Sequence, residues 1–159
     1  MRIERVTPDS VGLILQLVSA YQRFYQAEPD EQRNRKHFSL VLGDPALSVG
    51  FVALDDNAAP VGFATLYFPL SSVTPGAHCL LNDLYVIRAK RGRGTGRALI
   101  DRCRQYAYEA GYAILQWQTE QSNTEAQWLY DRMGAKQSRW YSYSLRTAPA
   151  AADDTEEIQ

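Results

Sequence analysis

The chain has 159 residues, 45% hydrophobic and 22% charged, with a net charge of −1. That length suits one domain with a core of its own. The near-neutral balance argues against general binding to nucleic acid or to an anionic membrane, both of which need a basic excess. No apolar run reaches the roughly 18 residues of a membrane span. The opening "MRIERVTPDS" lacks the apolar stretch of a signal peptide. Cys79 and Cys103 have neither metal-ligand spacing nor a CxxC partner, and they read as free buried thiols of a reducing cytoplasm. His37 and His78 are too isolated to predict a metal site.

Taken in chain order, "RIERV" (2–6) alternates like a strand. Thr7-Pro8-Asp9 opens a helix with proline in its first turn, and Val11, Ile14, Leu15, Val18 and Tyr21 follow at helical spacing. "AEPDEQ" (27–32) interrupts it before a second helix that ends near Gly43-Asp44-Pro45. "LSVGFVAL" (47–54) and "VGFATLYF" (61–68) flank the turn cluster "DDNAAP" and read as a hairpin. A loop at 69–76 leads to a long strand, "HCLLNDLYVI" (78–87). A helix after residue 95 shows Leu99, Cys103, Tyr106, Ala107 and Ala110 on one face, and Gly111 stops it. "AILQWQ" (113–118) is a strand. "SNTEAQWLYDRMG" (122–134) is a helix with a capping box from Ser122 to Glu125. "SRWYSYSL" (138–145) alternates as a last strand, and the small, acidic tail from Thr147 onward reads as disordered. The order β-α-α-β-β-β-α-β-α-β predicts an α/β (α+β) domain over 1–146, a mixed sheet with helices on its faces.

The stretch "RAKRGRGTGRALI" (88–100) carries the strongest chemical signal. A strand runs into Arg91-Gly92-Arg93-Gly94-Thr95-Gly96, and a helix starts there. Glycines let successive backbone N–H groups turn into one concavity. The helix adds its positive N-terminal end, and Arg91, Arg93 and Arg97 add charge-assisted donors. The combination reads as a pyrophosphate cradle, although a glycine-rich loop on a solvated basic face has the same composition. The P-loop pattern needs a lysine that is not there. The dinucleotide pattern G-x-G-x-x-G fails because Arg97 stands where the third glycine belongs, and the loop follows the fourth strand instead of the first.

The pattern that fits is Arg-x-x-Gly-x-Gly, carried by Arg91, Gly94 and Gly96. It resembles the acyl-CoA loop of the GNAT superfamily of N-acetyltransferases. "LNDLYVIRAKRGRGTGRALI" (81–100) is similar to that family's central strand, loop and helix. "SNTEAQWLYDRMGAK" (122–136) is similar to its second signature, an Asn at a helix start and a Tyr before a closing Gly. "YQRFYQ" (21–26) resembles the aromatic end of the first helix in members that acetylate amines. The likeness covers about residues 2 to 145 and is nearest to the yeast-type histone/polyamine acetyltransferases, more distantly to the diamine acetyltransferases.

The resemblance implies a single domain whose mixed, mostly antiparallel sheet is splayed at its middle and flanked by about four helices. It implies acetyl-CoA as cofactor and transfer of its acetyl group to a primary amine by direct attack in a ternary complex. Cofactor contacts fall on Leu84, Tyr85 and Val86, on Arg91, Gly92, Arg93, Gly94, Thr95 and Gly96, and on Asn123, Ala126 and Tyr130. The N–H of Val86 would polarise the thioester carbonyl. Asn123 and Tyr130 stand seven apart on one helix and so share a face. Tyr130 would give the departing thiolate its proton, although Ala126, Leu129 and Met133 around it equally suit a core tyrosine. The diamine acetyltransferases have a Glu where this chain has Asn82, which cannot accept the amine's proton. That leaves Asp83, Glu120 or a chain of water as base, with Asn82 and Asp83 expected on opposite faces of their strand.

The acceptor is expected against Tyr21, Phe24, Tyr25, Glu28 and Asn82, where aromatic and acidic groups suit a cation. Polyamine, amino acid, basic peptide and amine antibiotic all remain open. The aromatic strand 138–145 implies a homodimer, because a late strand of this kind pairs or exchanges between subunits in relatives. A non-catalytic acyl-CoA sensor is the competing reading, favoured by the missing Glu at 82.

Overall fold

The computed structural model describes residues 1–72, 76–145 and 147. Its centre is a five-stranded sheet in the order β1-β2-β3-β6-β7, made by β1 (Arg2–Val6), β2 (Ser48–Leu54), β3 (Pro60–Tyr67), β6 (Cys79–Val86) and β7 (Leu115–Gln116). The first four strands are antiparallel neighbours, and only β7 runs parallel to β6. A two-residue ladder between β4 (Leu70–Ser71) and β5 (Gly76–Ala77) stands apart within the expected loop. Helices α1 (Gly12–Phe24), α2 (Glu31–Val41), α3 (Thr95–Glu109) and α4 (Thr124–Arg132) complete the domain. The expected splayed mixed sheet with four helices is present.

The sheet divides the core in two. Val49, Phe51, Ala53, Ala64 and Leu66 face Leu99, Ile100, Cys103 and Ala107 of α3. Val52, Leu54 and Phe63 face Ile14, Leu15 and Val18 of α1 and Phe38 of α2. Both faces of β2 and β3 are therefore covered, which is why these strands read as near-continuous apolar runs. A reciprocal amide pair ties α1 to α2. Gln22 Nε2 donates to Asn34 Oδ1 at 2.9 Å, and Asn34 Nδ2 donates to Gln22 Oε1 at 2.7 Å.

Local capping follows the side chains available. Pro8 starts a short 3-10 turn (Pro8–Ser10) ahead of α1 instead of the helix itself. Asp30 accepts from Arg33 N at 2.9 Å and begins α2. The capping box expected from Ser122 to Glu125 does not form. Asn123 is the cap, its Oδ1 accepting from Ala126 N at 3.3 Å, because the Ser122 hydroxyl is turned back to donate to Glu120 at 3.0 Å.

Two strand expectations need correction. The strand expected over 113–118 shortens to the two residues of β7. The strand expected over 138–145 does not form. Trp140, Tyr143 and Leu145 are 92%, 90% and 93% exposed, and no ladder reaches them. Alternation decides which side chains would share a face. It cannot supply the neighbouring edge that a strand must pair with. The acidic tail lies outside the described residues apart from Thr147.

Candidate active site

β6 and β7 pair only at Cys79–Leu115 and Leu80–Gln116. Beyond that point the strands part, and a cavity of ≈ 340 Å³ opens between them. Leu81, Asn82, Leu84, Tyr85 and Val86 form one wall, and Trp117, Gln118 and Thr119 form the other. The ladder with β3 shows which backbone groups reach the gap. Ile87 N donates to Val61 O at 3.0 Å. The next pair, Gly62–Val86, is then a non-bonded pair, and so is Ala64–Leu84. The N–H and C=O groups of Val86 and Leu84 therefore point away from β3 and into the cavity. The Val86 carbonyl accepts from Arg91 Nε at 3.0 Å.

At the end of β6 a 3-10 turn (Arg88–Lys90) leads into the glycine loop, anchored by Lys90 Nζ donating to Asp55 Oδ2 at 2.9 Å. Gly92 and Gly94 have φ of 69° and 83°, conformations that cost an L-residue about 1–2 kcal/mol. A Cβ at either would meet no protein atom within 4 Å. The space over the loop is therefore open to a ligand. Gly94 is also the N-cap of α3, whose first turn carries no acidic side chain. The unpaired N–H groups of that turn and the helix dipole face the same space. These features fit a pyrophosphate, and the long cleft between the strands fits the arm that extends from it.

Tyr130 stands on the far wall, edge-on to Trp117 with ring centroids 5.2 Å apart. Burial, and then the nearby Tyr25, raise its pKa, while a hydrogen bond with Thr119 lowers it. The phenol keeps its proton at neutral pH and is available as a donor. Asn123 and Ala126 line the same wall. With Asn123 Oδ1 engaged as a cap, its amide NH₂ is the group left to face the cavity.

Tyr21, Phe24 and Tyr25 close the α1 side. Tyr21 meets Tyr25 edge-on at 5.1 Å and Tyr85 at 5.8 Å. Arg91 lies 5.5 Å from the Phe24 ring centroid and 5.8 Å from that of Tyr85, and it reaches Glu125 at 3.6 Å. It bridges the loop, α1 and α4 across the mouth.

Most of the expected site residues come together here, but five stand apart from the cavity wall. Arg93 is exposed and Thr95 is buried under the start of α3. Glu28 is exposed, its carbonyl accepting from Arg33 at 3.1 Å. Glu120 is exposed and bound to Ser122. Asp83 lies behind Asn82. The expectation that Asn82 and Asp83 point to opposite faces is overturned by a bulge. Thr65 pairs with Asp83 and Leu66 with Leu81, so Asn82 is an extra residue. The bulge turns the two side chains toward each other, and Asn82 hydrogen-bonds the Asp83 carboxylate. The buried Thr65 hydroxyl also donates to Asp83.

Arg97, read from the sequence as a cradle donor, lines the cavity, whereas sequence reasoning missed Trp117, Gln118 and Thr119, together with Glu125 and Trp128. "QWQT" carries no motif of its own. Its position after the cradle helix was the one available signal.

Burial raises the Asp83 pKa from its ordinary 3.8, outweighing the Thr65 and Asn82 hydrogen bonds and the charge of His37. The sign follows from linkage. A raised carboxyl contributes stability below its unfolded value and loses it as pH climbs through the folded one. Asp83→Asn is accordingly expected to raise the thermal midpoint at pH 7, with the gain over wild type vanishing toward pH 4. A midpoint lowered at every pH would show that the charge itself holds the bulge.

A splayed sheet, strand amides turned into the gap, a glycine cradle at a helix start and a protonated phenol across the cleft define an acyl-CoA-dependent N-acyltransferase. The chain belongs to the acetyltransferase (GNAT) family, whose family model matches residues 14–135. It is an acyltransferase, and acetyl-CoA is its acyl donor. It is 29% identical over 150 residues to the uncharacterized N-acetyltransferase YhfO of Bacillus subtilis, covering 94% of this chain and 99% of that protein. It is 34% identical over 95 residues to the D-amino-acid N-acetyltransferase HPA3 of Saccharomyces cerevisiae, covering 58% and 59%. The yeast-type kinship read from the sequence is borne out. The crystal structure of a probable acetyltransferase superposes with a TM-score of 0.83 at 27% identity, covering 94% of this chain and all of that one.

Proposed function

We propose that this enzyme acetylates the primary amine of a small molecule or basic peptide (a polyamine, an amino acid or a protein tail) in a ternary complex, with no acetyl-enzyme stage. The carrying observation is the cleft between β6 and β7, with the Val86 N–H on one wall and Tyr130 on the other. Acetyl-CoA supplies a thioester acyl group. The Val86 N–H polarises its carbonyl oxygen, residues 91–96 hold the pyrophosphate, and Tyr130 donates a proton to the departing sulfur. Direct transfer is supported by a cavity wall that holds neither cysteine nor serine among the described residues.

Tyr21, Phe24, Tyr25 and Asn82 bind the amine, with Glu28 acting through the field at the mouth. Asp83 is the favoured base over Glu120, because it sits at the bulge beside the cleft and burial raises its pKa toward the range where a carboxylate accepts a proton. The amine's proton reaches it past Asn82. The competing sensor reading keeps the cradle without turnover and rests on Asn82 standing where diamine acetyltransferases have a Glu.

We also propose a cytoplasmic homodimer. The exposed aromatic segment that includes Trp140, Tyr141 and Tyr143 would be covered by a second copy, and both cysteines are free. Release of CoA thiol from acetyl-CoA with a panel of polyamines, amino acids, a basic tail peptide and an aminoglycoside tests the reaction. Thiol release with one class supports the enzyme. Tight acetyl-CoA binding with no release across the panel would favour the sensor.

A further inference from the structure

A second, more open depression of ≈ 630 Å³ lies beside the bulge, between α2 and the far ends of β3 and β6. Its wall is apolar, built from Val41, Leu47, Phe68 and Leu80. Three polar side chains stand in it, Asn82 and the pair His37 and Tyr67, which are joined by a hydrogen bond between Nε2 and the phenol oxygen at 3.2 Å. Asn82 is the one described residue that lines both this depression and the cleft. The two hollows therefore adjoin at the bulge, across the exposed Asn82 side chain, with the Asp83 carboxylate behind it.

We infer that this depression holds the apolar substituent of the acceptor amine, with His37 and Tyr67 as specificity-determining residues. The inference rests on the amine-acetylation reading above and names its substrate class: a primary amine bearing a branched-aliphatic or aromatic group. An ammonium seated over Asn82 meets the Asp83 charge and the Asn82 amide oxygen. From there the nitrogen faces the cleft and the rest of the molecule faces the depression. Leu47 is 52% exposed, so an apolar substituent removes its surface and that of its neighbours from water. Among the described residues no acidic side chain lines this wall, so the second cation of a polyamine gains nothing from them and loses hydration. The His37–Tyr67 pair offers a ring face and an adjustable donor at the rim.

The test compares kcat/KM for 2-phenylethylamine, isoamylamine, spermidine and methylamine. The two apolar amines are expected to exceed spermidine by about 10-fold or more, the usual discrimination of an apolar pocket. Leu47→Glu, at an exposed position, is expected to reverse that order. It should lower kcat/KM for the apolar amines about 10-fold, raise it for spermidine, and leave methylamine turnover and acetyl-CoA affinity unchanged. A wild-type preference for spermidine, or a Leu47→Glu effect equal on all four amines, would overturn the inference.

An independent arm uses imidazole proton NMR of the CoA-bound protein, whose two histidines His37 and His78 are separable by His37→Gln. Adding 2-phenylethylamine is expected to shift the His37 signals and leave those of His78 in place. That shift without turnover would support the pocket while overturning acetyl transfer. Neither shift nor turnover would overturn both.

Discussion

Gly94→Val is expected to weaken acetyl-CoA binding severely while leaving the domain folded. Two effects of the substitution must be separated. A valine at φ 83° is strained whatever surrounds it, at a cost of about 1–2 kcal/mol, and its β-branch adds to that. Unfolding would therefore begin a few degrees earlier in a chain of this length. The second effect is on the ligand. A Cβ at Gly94 meets no protein atom within 4 Å, so its methyl groups project into the space through which a phosphate reaches the first N–H groups of α3. Calorimetry should show affinity for acetyl-CoA weaker by about 10²-fold or more, several charge-assisted bonds being lost together. Gly111→Val is the matched control. It has φ 84°, equally open surroundings and the opposite end of the same helix. It should carry the same strain and bind acetyl-CoA normally. Equal affinity in the two variants would take the loop out of the binding site.

Tyr130→Phe is expected to lower kcat by roughly 10²-fold at constant acetyl-CoA affinity, the usual weight of a positioned general acid. The ring remains, so its edge contact with Trp117 and its place in the wall are kept. Only the hydroxyl and its bond to Thr119 go. The pH profile supplies a second readout. Burial and Tyr25 raise the Tyr130 pKa above the ordinary phenol value of 10.0. The active, protonated form therefore persists into alkali, and the wild-type rate should begin to fall only above that value. In Tyr130→Phe this alkaline limb should be missing. An unchanged kcat would return Tyr130 to the role of wall residue.

The order of elements up to α4, the glycine turns and the placing of Asn123 and Tyr130 along one wall were legible because each depends on residues close in sequence. Gly92, Gly94 and Gly96 announce a backbone conformation, and seven-residue spacing announces a shared face. What escaped depends on partners far away. The bulge at Asn82 arises from register between β6 and β3, two strands whose ladder no short window contains, and it reversed the expected geometry of Asn82 and Asp83. Ser122 and Asn123 are both able caps, and the choice between them was made by Glu120 claiming the serine. "SRWYSYSL" has the alternation of a strand, but among the described residues no ladder reaches it, and alternation alone does not select a pairing edge. The wall formed by Trp117, Gln118 and Thr119 was invisible because its role comes from where β7 stops pairing, which is set by the parting of two backbones.

The two halves of the core, one on each face of the sheet, allow much of the proposed donor side and acceptor side to vary separately. The cradle rises from α3 and its cluster around Leu99 and Cys103, whereas the aromatic mouth and the helix that carries His37 pack on the cluster around Ile14 and Phe38, with Arg91 and Phe68 as links between the two sides. Substitutions without shared neighbours act nearly additively. A lineage can therefore drift through new choices of amine by altering one face, while the donor side stays under an unrelaxed constraint.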